Sequence, residues 1–152
     1  MGKRVIVVGG GIAGMQTALK LSAGGVSALL LERDADLGGK LTGWHKLFPS
    51  FTPAHEVLDE LRRRLAASDV EVRTRCEVAE VARDGVTLST GERLEADAVV
   101  VATGFTLFDA RIKEEYGYGI YDNVYTTVDI ERMLNEGRVA LKDGTAPRRI
   151  AF

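Results

Sequence analysis

The apolar positions of this chain fall into short runs punctuated by glycine. "KRVIVVGG" holds a continuous apolar run, Val5 to Val8, closed by glycine, the pattern of a strand buried on both faces. Ile12, Met15, Ala18, Leu19 and Leu21 follow mostly at three- and four-residue steps, so a helix opens after the glycine turn and ends at Gly24–Gly25. "VSALLLER" repeats the buried-strand pattern. Residues 34–53 carry glycine and proline at intervals and read as a loop. Val57, Leu58, Leu61 and Leu65 then mark one face of a charged amphipathic helix. "VEVRTRCEVAEV" contains a third strand and the start of a fourth. Turn signals at Arg83-Asp84-Gly85 and Thr90-Gly91 divide short alternating strands, which is a β-meander. "DAVVVATG" is another apolar strand ending in glycine. Beyond Gly104 the pattern fades until Val128, Ile130, Met133 and Leu134 mark a short helix, and "KDGTAPRRIAF" supplies a turn, a proline and the start of a strand.

A βαβ opening followed by a meander predicts an α/β fold, Rossmann-like, with a central parallel sheet. At 152 residues, 45% hydrophobic and 28% charged, the chain has the makeup of one domain with a proper core. Its net charge of −2 gives no reason to expect nucleic acid or a membrane surface as partner. The apolar run after Met1 is too short for a secretory segment or a membrane span, so a cytoplasmic location is expected. Cysteine narrows the chemistry further. Cys76 stands alone, which excludes an intrachain disulfide, a C-x-x-C redox pair and a four-cysteine cluster. It reads as a small buried hydrophobe, and no metal site is expected. Any redox chemistry must come from a bound cofactor.

Gly9, Gly11 and Gly14 form G-x-G-x-x-G directly after a strand and at the opening of a helix, the context that gives this pattern meaning. Gly9 allows the tight turn, Gly11 lets backbone N–H groups approach a pyrophosphate, and Gly14 lets the helix pack on the sheet. The candidate phosphate site is therefore Gly9, Gly10, Gly11, Ile12, Ala13 and Gly14, at the positive end of the helix dipole. Glu32, with Arg33 beside it, ends the second strand 23 positions after Gly9 (32 − 9) and suits the acid that binds a ribose hydroxyl pair. FAD and NAD share this fingerprint. The second glycine pair, Gly38–Gly39, with Lys40 beside it, favours a cofactor that extends past its pyrophosphate, because backbone must come close there.

The meander followed by "VVVATG" resembles the FAD domain of glutathione-reductase-like flavoproteins. That resemblance implies that Val78 lies near the adenine and that Ala102, Thr103 and Gly104 approach FAD from a second side. The later segments narrow the family. Gly104–Phe105, Asp109, Glu115–Gly119, Asn123–Val124 and Glu131–Leu134, with "GGKLTGWHKLFP" and "RRIAF", resemble the FAD-binding A subunit of heterodisulfide reductase and its bacterial relatives. The resemblance implies an FAD-binding electron-transfer component of a multi-subunit redox complex, with partners that bring iron–sulfur centres or a hydride donor. It also implies an FAD-binding domain over residues 1–106, a connector over 107–147, and at 148–152 the first strand of a further domain. Relatives carry cysteines after the F-P pair, whereas "FPSFTPAHEVLDEL" has none, so no iron–sulfur relay is expected here. Either a partner chain supplies the ring side of the flavin site, or this is a reduced or truncated member of the family. An uncovered sheet edge adds self-association as an expectation.

Other residues suggest less. His45 and His55 have no acid at a recognisable spacing and read as loop-packing or solvent-facing. Trp44 and Phe48 read as a hydrophobic plug under the long loop, and "LRRRL" at 61–65 as a solvated helix face. No catalytic residue is assigned, since no nucleophile–base pair emerges. Two other functions fit the same residues: a non-catalytic nucleotide-binding or assembly module, and a stand-alone NAD(P)H-dependent flavin oxidoreductase.

Overall fold

The apolar runs become the strands of a parallel sheet, and the glycine-bounded segments between them become helices and turns. The computed structural model describes residues 2–152. In chain order the elements are β1 (Arg4–Val8), α1 (Ile12–Ala23), β2 (Ser27–Leu31), β3 (Lys46–Leu47), β4 (Thr52–Pro53) and α2 (Ala54–Ala66). They continue with β5 (Glu71–Arg73), β6 (Val78–Ala82), β7 (Gly85–Leu88), β8 (Arg93–Glu95), β9 (Ala98–Val101) and α3 (Thr127–Asn135). These group into two compact units, one of residues up to Thr42 with His55–Phe105, the other of Gly43–Ala54 with Thr106–Phe152.

In the first unit the sheet order is β5-β2-β1-β9, all parallel, with Ile6 opposite Leu29 on one side and Val99 on the other. Strand alternation divides its core. Ile6, Val8, Leu29 and Leu31 face Val86, Leu88 and Leu94 of the antiparallel meander β6-β7-β8. Cys76 packs against the same cluster, half-buried, with Sγ 3.3 Å from the Thr74 carbonyl, as a small apolar residue would. Val5, Val7, Ala28 and Leu30 are buried on the opposite face, where Leu30 lies against Gly14 of α1. Met15 and Ala18 of α1 are fully buried.

The two sheet edges differ. On β5, Arg73 pairs with Glu71 at 2.9 Å and Glu92 at 3.1 Å, and Arg4 lies 3.6 Å from Glu71. Among the described residues no strand pairs with the outer side of β9, and Val101 there is 60% exposed.

The second unit contains structure that the sequence pattern presents only as loop. β3 and β4 form a two-residue antiparallel pair that brackets Phe48–Phe51. The structure corrects the expected plug: Trp44 is half-buried, but Phe48 is 86% exposed and pairs edge-on with Phe51, with ring centroids 6.3 Å apart. The short β3–β4 pair turns its tip outward. α3 starts at a capping box, in which Thr126 Oγ1 accepts from the Asp129 N–H at 3.3 Å and Asp129 Oδ2 accepts from the Thr126 N–H at 2.9 Å. From α3, Glu131 accepts from the His45 N–H at 2.6 Å, and Asn135 donates to the Gly43 carbonyl at 3.0 Å. Tyr116 and Tyr121 are exposed, Tyr118 lies under the Arg111 guanidinium at 5.6 Å, and Tyr125 donates to Asn123. Residues 148–152 are not in a strand, and Ile150 and Phe152 are exposed.

Candidate functional site

The candidate site is built around the N-terminus of α1. Helical geometry leaves the N–H groups of Ile12, Ala13 and Gly14 without intrahelical acceptors, and the N-cap residue Gly11 has no side chain to satisfy them. They are free donors at the positive end of a helix of 12 residues.

Each glycine of the turn does something different. Gly9 adopts φ +109°, and a Cβ there would meet the Ala102 carbonyl at 2.5 Å, so β1 and the "ATG" turn touch through bare backbone. A Cβ on Gly14 would lie 1.8 Å from the Gly9 carbonyl, so only glycine lets α1 pack this close to the turn. A Cβ on Gly11 would meet nothing within 4 Å. The backbone at Gly11 is therefore open on that side.

Three other segments close on this turn. Glu32, 6% exposed, accepts from the Gly10 N–H at 2.6 Å through Oε2 and from the Asp34 N–H at 2.8 Å through Oε1. The acid expected to bind a ribose fastens the glycine turn to the end of β2, and each oxygen keeps a lone pair for a further donor. The Gly38 N–H donates to the Gly10 carbonyl at 2.8 Å, and a Cβ on Gly39 would come within 3.3 Å of the Gly11 Cα. The second glycine pair therefore lies directly on the first. The Ala102 N–H donates to the Val8 carbonyl at 2.8 Å, which sets Ala102, Thr103 and Gly104 beside Gly9.

The remaining candidates lie at the margins. Lys40 holds its ammonium over the Phe105 ring at 4.7 Å, which ties the second glycine pair to the "ATG" turn. Arg33 is exposed, with Nε 3.8 Å from Asp34. Val78 is half-buried and packs on the core cluster beneath the site, opposite Leu88 in the meander.

Sequence reasoning passed over Arg62. It belongs to the run read as a solvated face, but its guanidinium donates to the Leu37 carbonyl. Arg63 pairs with Glu60 on the same helix and is exposed, as the solvated-face reading of the run expects. Asp34, Ala35, Asp36, Gly39, Thr42 and Arg62 line an open cavity of about 550 Å³ beside the second glycine pair. The signal that could have found Arg62 is its helical spacing from the buried Leu58 and Leu65, which turns it toward the covered side of α2.

Among the described residues no cluster of His, Cys, Asp or Glu could hold a metal ion. No helix among them is long and apolar enough to cross a membrane.

The family described as "NAD(P)-binding Rossmann-like domain" matches residues 7–60, and that described as "Flavin containing amine oxidoreductase" matches residues 48–113. The chain is 52% identical over 66 residues to an iron–sulfur A subunit of the CoB–CoM heterodisulfide reductase of Methanopyrus kandleri, covering 40% of this chain and 10% of that protein. It is 42% identical over 66 residues to the corresponding A subunit of Methanocaldococcus jannaschii, with the same coverage. The chain thus spans about a tenth of the length of the curated relatives it matches. Among solved structures, a complex of 2-naphthoyl-CoA reductase superposes with a TM-score of 0.51 at 26% identity, covering 74% of this chain and 16% of that one. The stretch matched to the heterodisulfide reductases is the N-terminal one, so it carries the glycine turn, Glu32 and the second glycine pair but not the tyrosine-rich segment. Over that stretch the chain is related in sequence to the A subunits of the heterodisulfide reductases, on a Rossmann-like α/β fold.

Proposed function

We propose that this chain is the FAD-binding part of an electron-transfer flavoprotein similar to the A subunit of heterodisulfide reductase. The observation that carries the proposal is the convergence of four segments on one helix N-terminus: the glycine turn, Glu32, the Gly38–Gly39 pair and the Ala102–Gly104 turn. The flavin-containing family that matches residues 48–113 and the identity to the heterodisulfide reductases support FAD over NAD.

In this reading the free N–H groups of Ile12, Ala13 and Gly14 bind the pyrophosphate, with Gly9, Gly10 and Gly11 allowing its approach. Glu32 takes the ribose hydroxyl pair, and its charge disfavours a 2′-phosphate. Arg33 flanks the adenosine end, and Val78 lies on the adenine side. Gly38, Gly39 and Lys40 border the phosphates, and Ala102, Thr103 and Gly104 approach from the opposite side. Bound FAD supplies the redox chemistry, and the chain's own residues bind and orient it. Electrons pass to or from partner subunits bearing iron–sulfur centres or a hydride donor, in the cytoplasm.

Purified protein is expected to be yellow, with an oxidised-flavin absorption that bleaches on reduction. A colourless protein that cannot be reconstituted with FAD would sink the proposal.

A further inference from the structure

We infer that Arg62 is a positioning residue that holds the second glycine pair ready for the cofactor's phosphates, an inference that rests on the FAD reading above. The segment around Gly38–Gly39 has no strand to support it. Gly38 and Gly39 adopt φ +135° and +53°, conformations that side-chain residues rarely hold. What fixes them is one peptide plane. The Leu37–Gly38 peptide has its N–H bound to the Gly10 carbonyl at 2.8 Å, and its C=O accepts from the Arg62 guanidinium. Held at both ends, that plane cannot rotate, so the next residues keep Gly39 against Gly11.

The holder is itself rigid. Leu58, Leu61 and Leu65 anchor α2 in the core, and Leu58 packs against Gly38. Asp34 and Asp36 line the same cavity, but among the described residues Arg62 is in no ion pair, and the hydrogen bond assigned to its guanidinium goes to the loop. A charged donor to a backbone carbonyl is among the stronger single hydrogen bonds available. Thr42, donating to the Gly39 carbonyl at 2.8 Å, closes the turn from its other side.

Without Arg62 the peptide plane is held at one end only, and ordering the loop becomes part of cofactor binding. The test compares wild type, Arg62→Ala and Arg62→Lys by FAD titration and by amide hydrogen exchange of the cofactor-free chain. Arg62→Ala is expected to weaken FAD binding by about tenfold, the scale of one charge-assisted hydrogen bond. Exchange should rise at Gly38–Leu41 while the amides of β1 and β2 stay protected. Arg62→Lys, which can still donate one bond, should recover part of the affinity. Wild-type affinity in Arg62→Ala overturns the inference, as does exchange that rises across the whole sheet, which marks a general structural role. A wild-type chain that binds no FAD removes the cofactor reading and this inference together.

Discussion

Replacing Glu32 with glutamine tests whether the phosphate turn is held by a buried carboxylate. The side chain keeps its shape but offers one oxygen where two are used, at 2.6 Å from the Gly10 nitrogen and 2.8 Å from that of Asp34. Each N–H to carboxylate bond is worth about 1.5–3 kcal/mol, and the one neutral bond that survives about 0.5–1.5 kcal/mol. Asp34 is partly open to water and can recover some of the loss, whereas the Gly10 N–H cannot. The net cost to the cofactor-free chain is then about 2 kcal/mol. In a chain of this size that is a fall in Tm of roughly 4–8 °C. Urea unfolding of apo protein followed by circular dichroism reads it directly, and flavin titration separately reads the loss of the proposed ribose contact. An apo midpoint within experimental error of wild type would refute the reasoning, because the carboxylate would then not be fastening the turn.

Two glycines of the same motif should separate stability from binding. Gly14→Ala places a Cβ 1.8 Å from the Gly9 carbonyl, so α1 must move off the sheet, at an expected cost of about 2 kcal/mol or more in urea unfolding. Gly11→Ala meets nothing within 4 Å and has φ −74°, so apo stability should change by less than about 0.5 kcal/mol while FAD affinity falls at least tenfold by titration. Thr126→Ala removes the capping box and should cost about 1 kcal/mol, read as faster exchange of the α3 amides. Asp129 has the matching pH signature. Desolvation raises its pKa, but hydrogen bonds from Thr126 and Tyr118 and the nearby Arg132 charge outweigh it and leave the carboxyl below its usual value. Its contribution to α3 is therefore complete above about pH 4, the ordinary carboxylate value, and is lost as pH falls through the lowered folded value, measurable by the same exchange experiment.

The first unit was legible because its signals are local. The Val5–Val8 run, the glycines at 9, 11 and 14, and the turn residues at 83–85 each specify backbone geometry within a few neighbours. The same locality explains the failures. Arg62 acts on a carbonyl 25 positions away, and Glu131 and Asn135 hold residues 43–45 from 86 to 92 positions away. No spacing rule connects such pairs. Strand propensity at 148–152 was legible too, but a strand exists only with a neighbour, and the pattern of one segment cannot supply it. Phe48 misled for the opposite reason: its hydrophobicity argued for burial, while the tight β3–β4 pair decided where it points.

The unequal borders of the four-stranded sheet also differ in how readily they accept a further strand. An open strand rim is a template for another chain, and ionic side chains are a common way to discourage such growth. Here the β5 rim carries that protection and the β9 rim does not. Within this four-stranded sheet, an added strand of any origin therefore meets its least resistance along β9.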